Sequence, residues 1–144
     1  MKWFNNKRIL VPFDFSDACL DAIGVAKALA VDTSDIHVIH VLENLPATSP
    51  LSIWDPEADE HRKETARKAI KDKLADLDIS NVHLDVSIGN PARVVADLAK
   101  DIECGLIIIP SNSRSTIERF LIGSVAERVV RLAPCPVLVL KNGV

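Results

Sequence analysis

Polar side chains with binding chemistry follow apolar segments at three places in this sequence. Asp14 comes directly after the apolar run Ile9–Phe13, Glu43 follows a second run, and residues 111–114 (Ser-Asn-Ser-Arg) follow a third. A carboxylate such as Asp14 can accept hydrogen bonds from a ribose hydroxyl or a base amine. It can equally satisfy backbone N–H groups of its own turn. Position alone leaves both roles of Asp14 open.

A second candidate lies at Gly123 and Ser124, where the last predicted helix begins. The first turn of a helix offers unpaired N–H groups and a positive dipole end, which together suit a phosphate. The spacing Ser124-x-x-Glu127 is also typical of a capping box, which satisfies two of those N–H groups internally. A capping box leaves other N–H groups available, so both interpretations stand. Arg114 would add positive charge nearby.

Other kinds of chemistry gain no support from the sequence. The five glycines are too far apart for a dinucleotide-binding fingerprint or a P-loop. His37 and His40 are three residues apart on a predicted strand, so they face opposite sides and cannot share a metal. We predict no metal site. No nucleophile and base are placed for catalysis, and we predict no catalytic residue.

Length, composition and net charge limit the classes of partner that we expect for this chain. The chain has 144 residues and a net charge of −3, which favours a single domain over residues 1–144 and gives no electrostatic case for nucleic acid or a membrane surface. We also expect no membrane-spanning segment or signal peptide. The three cysteines are far apart in the sequence, which is typical of reduced thiols in the cytoplasm.

Strand and helix patterns alternate along the chain and must position these residues. We predict strands over 9–13, 36–42, 82–88, 106–109 and 137–140. We predict helices over 17–31, 57–77, 91–102 and 124–132, with Ser16 and Asn90 as N-caps. The alternation indicates an α/β fold with a doubly wound, five-stranded, mostly parallel sheet and helices on both faces. Ligands of such sheets bind at the carboxyl ends of the strands.

Three further segments carry expectations of their own. Residues 43–56 contain three prolines and are predicted to form a mobile loop, and residues 1–6 an N-terminal extension. The last strand is apolar throughout, so it is either a covered inner strand or an edge. As an edge, it would invite pairing with a second copy.

Four stretches of this sequence resemble the universal stress protein family, over nearly the full length of the chain. They are residues 9–16 (ILVPFDFS), 89–92 (GNPA), 123–130 (GSVAERVV) and 133–139 (APCPVLV). The resemblance implies a Rossmann-like fold of the adenine nucleotide alpha hydrolase type. It also implies a homodimer formed through the final strand, here Val137, Leu138, Val139 and Leu140. Many members of the family bind ATP or AMP.

The resemblance further implies a nucleotide site in this chain. Pro12, Asp14 and Val41 would hold the adenosine, Ile109 would lie beside the base, and Ser113, Arg114, Gly123, Ser124 and Val125 would face the phosphates. Phe13, Ser111 and Asn112 complete the implied site. The cofactor would be ATP or AMP, with Mg²⁺ as an optional companion, and any enzymatic activity would be at most slow ATP hydrolysis.

Two positions depart from the family's phosphate motif, which is Gly, two residues, Gly, nine residues, then Gly and Ser or Thr. Pro110 and Ser113 occupy the first two glycine positions, and only Gly123-Ser124 match. Proline has no N–H to donate, and the Cβ of Ser113 restricts the backbone that glycine would allow. Two functions therefore remain: a nucleotide-binding regulatory module with an unknown protein partner, or a dimeric interaction module that binds no nucleotide.

Overall fold

Strands and helices alternate along the chain. The computed structural model describes residues 8–44, 55–79, 81–111 and 122–141. Within these ranges the strands are β1 (Ile9–Pro12), β2 (Ile36–Leu42), β3 (His83–Ile88), β4 (Leu106–Pro110) and β5 (Val137–Leu140). The helices are α1 (Asp17–Leu29), α2 (Pro56–Ala75), α3 (Pro91–Asp101) and α4 (Ser124–Leu132), and a short 3₁₀ turn, Thr33–Asp35, precedes β2.

The strands form one parallel five-stranded sheet in the order β3-β2-β1-β4-β5, which confirms the predicted α/β fold. β1 lies at the centre, where Ile9 pairs with Ile36 of β2 on one side and Leu106 of β4 on the other. The chain builds outward from β1 to β3 and then returns to the other side of β1. The order therefore reverses between β1 and β4, where parallel sheets leave a crevice for ligands.

Helices cover both faces of the sheet because successive strand residues point to opposite sides. On one face, α1 and α2 pack against Ile9, Val11 and Val38. On the other, α3 and α4 pack against Leu10 and Ile107. β1 and β4 are apolar at nearly every position because each of their faces is covered.

Local capping sets where the helices begin. The Ser16 side chain accepts from the Cys19 N–H and that of Asn90 from the Arg93 N–H, which confirms both predicted N-caps. The start of α2 corrects the predicted loop over 43–56, because Pro56 is the first helical residue and Asp55 caps it. An N-cap Asp followed by Pro initiates a helix, since proline lacks only an N–H that the first turn leaves unpaired. Residues 45–54 of that loop and the extension over 1–6 lie outside the described residues.

β5 is an edge strand. It pairs with β4 from Ile107↔Val137 to Pro110↔Leu140, and it occupies the end of the sheet. Leu138 is 38% exposed although it is apolar. This settles the position that the sequence left open, whereas dimerisation through Val137, Leu138, Val139 and Leu140 stays a prediction.

Candidate functional site

A cleft of about 990 Å³ opens at the carboxyl ends of β1, β2 and β4, beside the point where the strand order reverses. The described residues predicted for the nucleotide site all line it: Pro12, Phe13, Asp14, Val41, Ile109, Ser111, Gly123, Ser124 and Val125. They come from four separate parts of the sequence. Asn112, Ser113 and Arg114 lie outside the described residues, so their role at the phosphates stays a prediction.

Asp14 is held by the turn that follows β1. Its Oδ1 accepts from the Ser16 N–H at 2.9 Å and from the Cys19 Sγ at 3.0 Å. Burial alone would raise the pKa of Asp14, but the hydrogen bonds from Cys19 and Ser16 together outweigh it and lower that pKa. The carboxylate is thus ionised near neutral pH. Asp14 therefore holds the turn through these hydrogen bonds, and it also lies exposed in the lining of the cleft.

An aromatic group in the cleft was missed by the sequence reasoning. His40 Nδ1 lies 2.6 Å from the carbonyl oxygen of Phe13, and the His40 ring meets Phe15 edge-on at 5.0 Å between centroids. Phe15 has a φ of 67°, a left-handed conformation that is rare for an aromatic residue. The available signal was the position of His40 near the carboxyl end of a strand that neighbours β1. Because the carbonyl accepts, Nδ1 carries the proton in this arrangement.

The beginning of α4 shows that the predicted capping box is wrong. Gly123, not Ser124, is the N-cap, and the Glu127 side chain instead bonds with Arg131 at 2.7 Å. The N-cap is Gly123 because its carbonyl accepts from the Glu127 N–H, while the Gly123 N–H donates to the Ser111 carbonyl at 2.6 Å. Glycine has no side chain to cap the helix. Within the described part of the chain, the N–H groups of the first turn therefore have neither an intrahelical acceptor nor a side-chain cap.

Ser111 lines the cleft and has a buried hydroxyl. Its residue is 5% exposed, and its Oγ has no hydrogen-bond partner in the part of the chain that the structure describes. An unsatisfied buried hydroxyl costs about 1–3 kcal/mol, so such groups normally meet a ligand or water. Ser111 also fixes the site, because its N–H donates to Leu140 at 2.8 Å and its carbonyl holds Gly123. The backbone of Ser111 therefore lies beside the start of α4.

This arrangement can be compared with known proteins. The model of the universal stress protein family matches residues 5–141. The chain belongs to that family. It is similar to a universal stress protein of Methanocaldococcus jannaschii, with 34% identity over 142 residues that cover 94% of this chain and 82% of the relative.

Solved structures of family members have the same fold. The universal stress protein UspA from Lactobacillus plantarum is 25% identical with a TM-score of 0.68, and the match covers 94% of this chain and 98% of that one. A universal stress protein in complex with cAMP is 19% identical with a TM-score of 0.64, covering 96% and 98%.

This family member accommodates Pro110 at the end of β4. The N–H groups of Ile107 and Ser111 both donate toward β5, to Pro136 and Leu140. Successive N–H groups of a strand point to alternate sides, so the Pro110 nitrogen points away from β5 and toward β1. The pairing of β4 with β1 has already ended at Ile107. The missing N–H therefore costs no bond to β5. Pro110 lines the cleft as a rigid, apolar wall.

Two further features of the described residues bear on function. Among the described residues, no group of three His, Cys, Asp or Glu side chains is arranged to hold a metal ion. None of the helices in those same ranges is long and apolar enough to cross a membrane.

Proposed function

We propose that this chain is a dimeric, cytoplasmic regulatory module of the stress response that binds ATP or AMP in the cleft between β1 and β4. The observation that carries the proposal is the buried hydroxyl of Ser111, which has no partner among the described residues, in a residue bonded to the N-cap of α4. A phosphate would accept from both kinds of donor, and the dipole of α4 favours its negative charge.

The opposite side of the cleft suits the nucleoside. Pro12, Val41 and Ile109 offer apolar surface for a purine ring. The ionised carboxylate of Asp14 is an acceptor for ribose hydroxyls or the base amine. Apolar walls with a few convergent polar groups are typical of small-molecule sites. The described residues therefore fit an adenine nucleotide, with Ser113 and Arg114 proposed as additional contacts to the phosphates.

Isothermal titration calorimetry with ATP and AMP tests this proposal directly. A titration with cAMP is included because one relative has been solved in complex with it. We expect Ser111→Ala to weaken ATP binding about tenfold, since it removes a donor to the phosphate. Ser34→Ala, in the exposed turn before β2, is the matched control and should bind as the parent does. The proposal would be disproved if none of the three nucleotides bound.

The second candidate is a dimeric interaction module that binds no nucleotide. It is favoured by Pro110, which lines the cleft at a position where the family's motif has glycine and which has no N–H to donate to a phosphate. The two functions differ in what the freshly purified protein carries. Heat denaturation would release an adenine nucleotide under the first function and none under the second, and mass spectrometry of the supernatant would detect it.

Hydrolysis is a subordinate question. We propose no catalytic residue, and any turnover of ATP would be slow. Phosphate release that persists unchanged in Asp14→Ala would show that this activity does not arise in the cleft.

A further inference from the structure

Two cysteines outside the cleft lie at the same end of neighbouring strands. Cys104 is in the turn between α3 and β4, and Cys135 precedes β5 by two residues. The strands pair at Ile107↔Val137, and the Ile107 N–H donates to Pro136 at 3.0 Å. Continued by two residues, this register sets Gly105 beside Cys135, so Cys104 and Cys135 are diagonal neighbours on strands that lie about 4.8 Å apart, and a disulfide can span such a separation. The register therefore brings together two residues that are distant in the sequence.

The two cysteines pack in the same part of the core. Cys104 is 7% exposed, and Cys135 is partly exposed and packs against the same core as Cys104, on the α3 and α4 face. The hydrogen bond between the two thiols lowers the pKa of Cys104 and raises the pKa of Cys135. Cys104 in turn donates to the carbonyl of Leu106 at 3.0 Å. Its backbone is fixed by a bond from its N–H to Ala99 at 2.8 Å.

We propose that Cys104 and Cys135 are an oxidisable pair that closes to an intramolecular disulfide when the protein meets a peroxide. One thiol reacts with hydrogen peroxide to give a sulfenic acid and one water. The other sulfur then attacks the sulfenic sulfur, forms the S–S bond and releases a second water. The two thiol hydrogens leave in the water, the sulfurs are oxidised and the peroxide is reduced. The order in which the sulfurs react does not alter this balance.

Cys19 provides an internal comparison, because it has no such partner among the described cysteines. It packs on the opposite face of the sheet, with α1 and α2. Burial and the hydrogen bond to Asp14 raise the pKa of the Cys19 thiol to about 12. A thiol that stays protonated is a poor nucleophile toward peroxide. The pair should therefore oxidise before Cys19 does.

Thiol counting by mass spectrometry tests the proposal on the whole chain. The protein is treated with a small excess of hydrogen peroxide, denatured, alkylated with iodoacetamide and weighed intact. We expect two of its three cysteines to lose alkylation, and a peptide map to show Cys104 joined to Cys135. Dithiothreitol should restore all three. Cys19→Ser should behave as the parent does, whereas Cys135→Ser should form no intramolecular disulfide.

Other results would overturn the proposal. They are retention of three alkylated cysteines at a peroxide dose that oxidises glutathione, a peptide map joining either residue to Cys19, or a disulfide that is exclusively intermolecular. The parent protein alone distinguishes these outcomes, so the test does not depend on whether a variant folds. A rise in the midpoint of thermal unfolding after oxidation, reversed by dithiothreitol, gives a second readout because the bond constrains the unfolded chain.

Discussion

The imidazole Nδ1 of His40 lies 2.6 Å from the carbonyl oxygen of Phe13, so a residue of β2 holds the turn that follows β1. That turn carries Asp14 into the cleft. The candidate site therefore depends on a bond between two segments that are 27 residues apart.

Replacing His40 with Phe should keep a ring against Phe15 but leave the Phe13 carbonyl without its donor. Loss of a partner to a buried backbone group costs about 1–3 kcal/mol, so we expect the free energy of unfolding to fall by that amount in urea titrations. His61→Phe, on the exposed surface of α2, is the control. Equal stability of the His40 variant and the parent would contradict the role of this bond.

Gly123→Asp should separate stability from binding. The residue has a φ of −61°, which any amino acid adopts, and an Asp N-cap would occupy the N–H groups of the first turn of α4. We expect the free energy of unfolding to hold or rise by about 0.5 kcal/mol. ATP affinity should fall more than about tenfold, because the new carboxylate repels a phosphate. Calorimetry and urea unfolding on one sample measure both, and unchanged affinity would refute the placement of the phosphate.

Asp14 should make stability sensitive to acid. Its pKa in the folded protein is below the ordinary value of 3.8, because hydrogen bonds from Cys19 and Ser16 outweigh the effect of burial. The resulting stability is complete above that ordinary value and is lost as the pH falls through the folded pKa. Urea titrations between about pH 5 and pH 3 should show a smaller loss in Asp14→Asn than in the parent. Asp21→Asn, exposed on α1, should show the full loss.

His37 should also make the protein less stable as the pH falls, but in a higher pH range than Asp14. The His37 ring stacks on that of His83 with 4.4 Å between ring centroids. Burial is the largest cause that lowers the pKa of His37 below 6.5, and the charge of His83 is the next. Arg8 lowers this pKa further, whereas Asp85 and Asp35 raise it. The unfolded chain therefore binds the proton first, and stability falls as the pH drops below 6.5 toward the folded pKa. His37→Phe keeps a stacked ring and should flatten this dependence in thermal unfolding. An unaltered pH profile would contradict the prediction.

Leu138→Lys should convert the proposed dimer into monomers, because it places a charge in the apolar edge strand β5. Light scattering should report half the mass of the parent. Leu29→Lys, an exposed apolar position on α1, should leave the mass unchanged. A parent protein that is already monomeric would rule out pairing through β5.

Local patterns determined much of the fold. The bounds of β2, β5 and α4 match the predicted ranges, because apolar periodicity and turn residues act over a few neighbours. Asn90 and Ser16 were correctly predicted as caps for the same reason. The N-cap of α4 was not, since Gly123 is held by a bond from its N–H to Ser111, outside the local sequence.

The sequence by itself determined which residues are apolar, the N-caps Ser16 and Asn90, and which family motif is retained. Only the tertiary structure decided the strand order, the edge position of β5, the contact of His40 with Phe13 and the meeting of Cys104 with Cys135. These relationships depend on pairing between segments that are distant along the chain. No local preference encodes such pairing, because it is selected by how both faces of the sheet are buried at once.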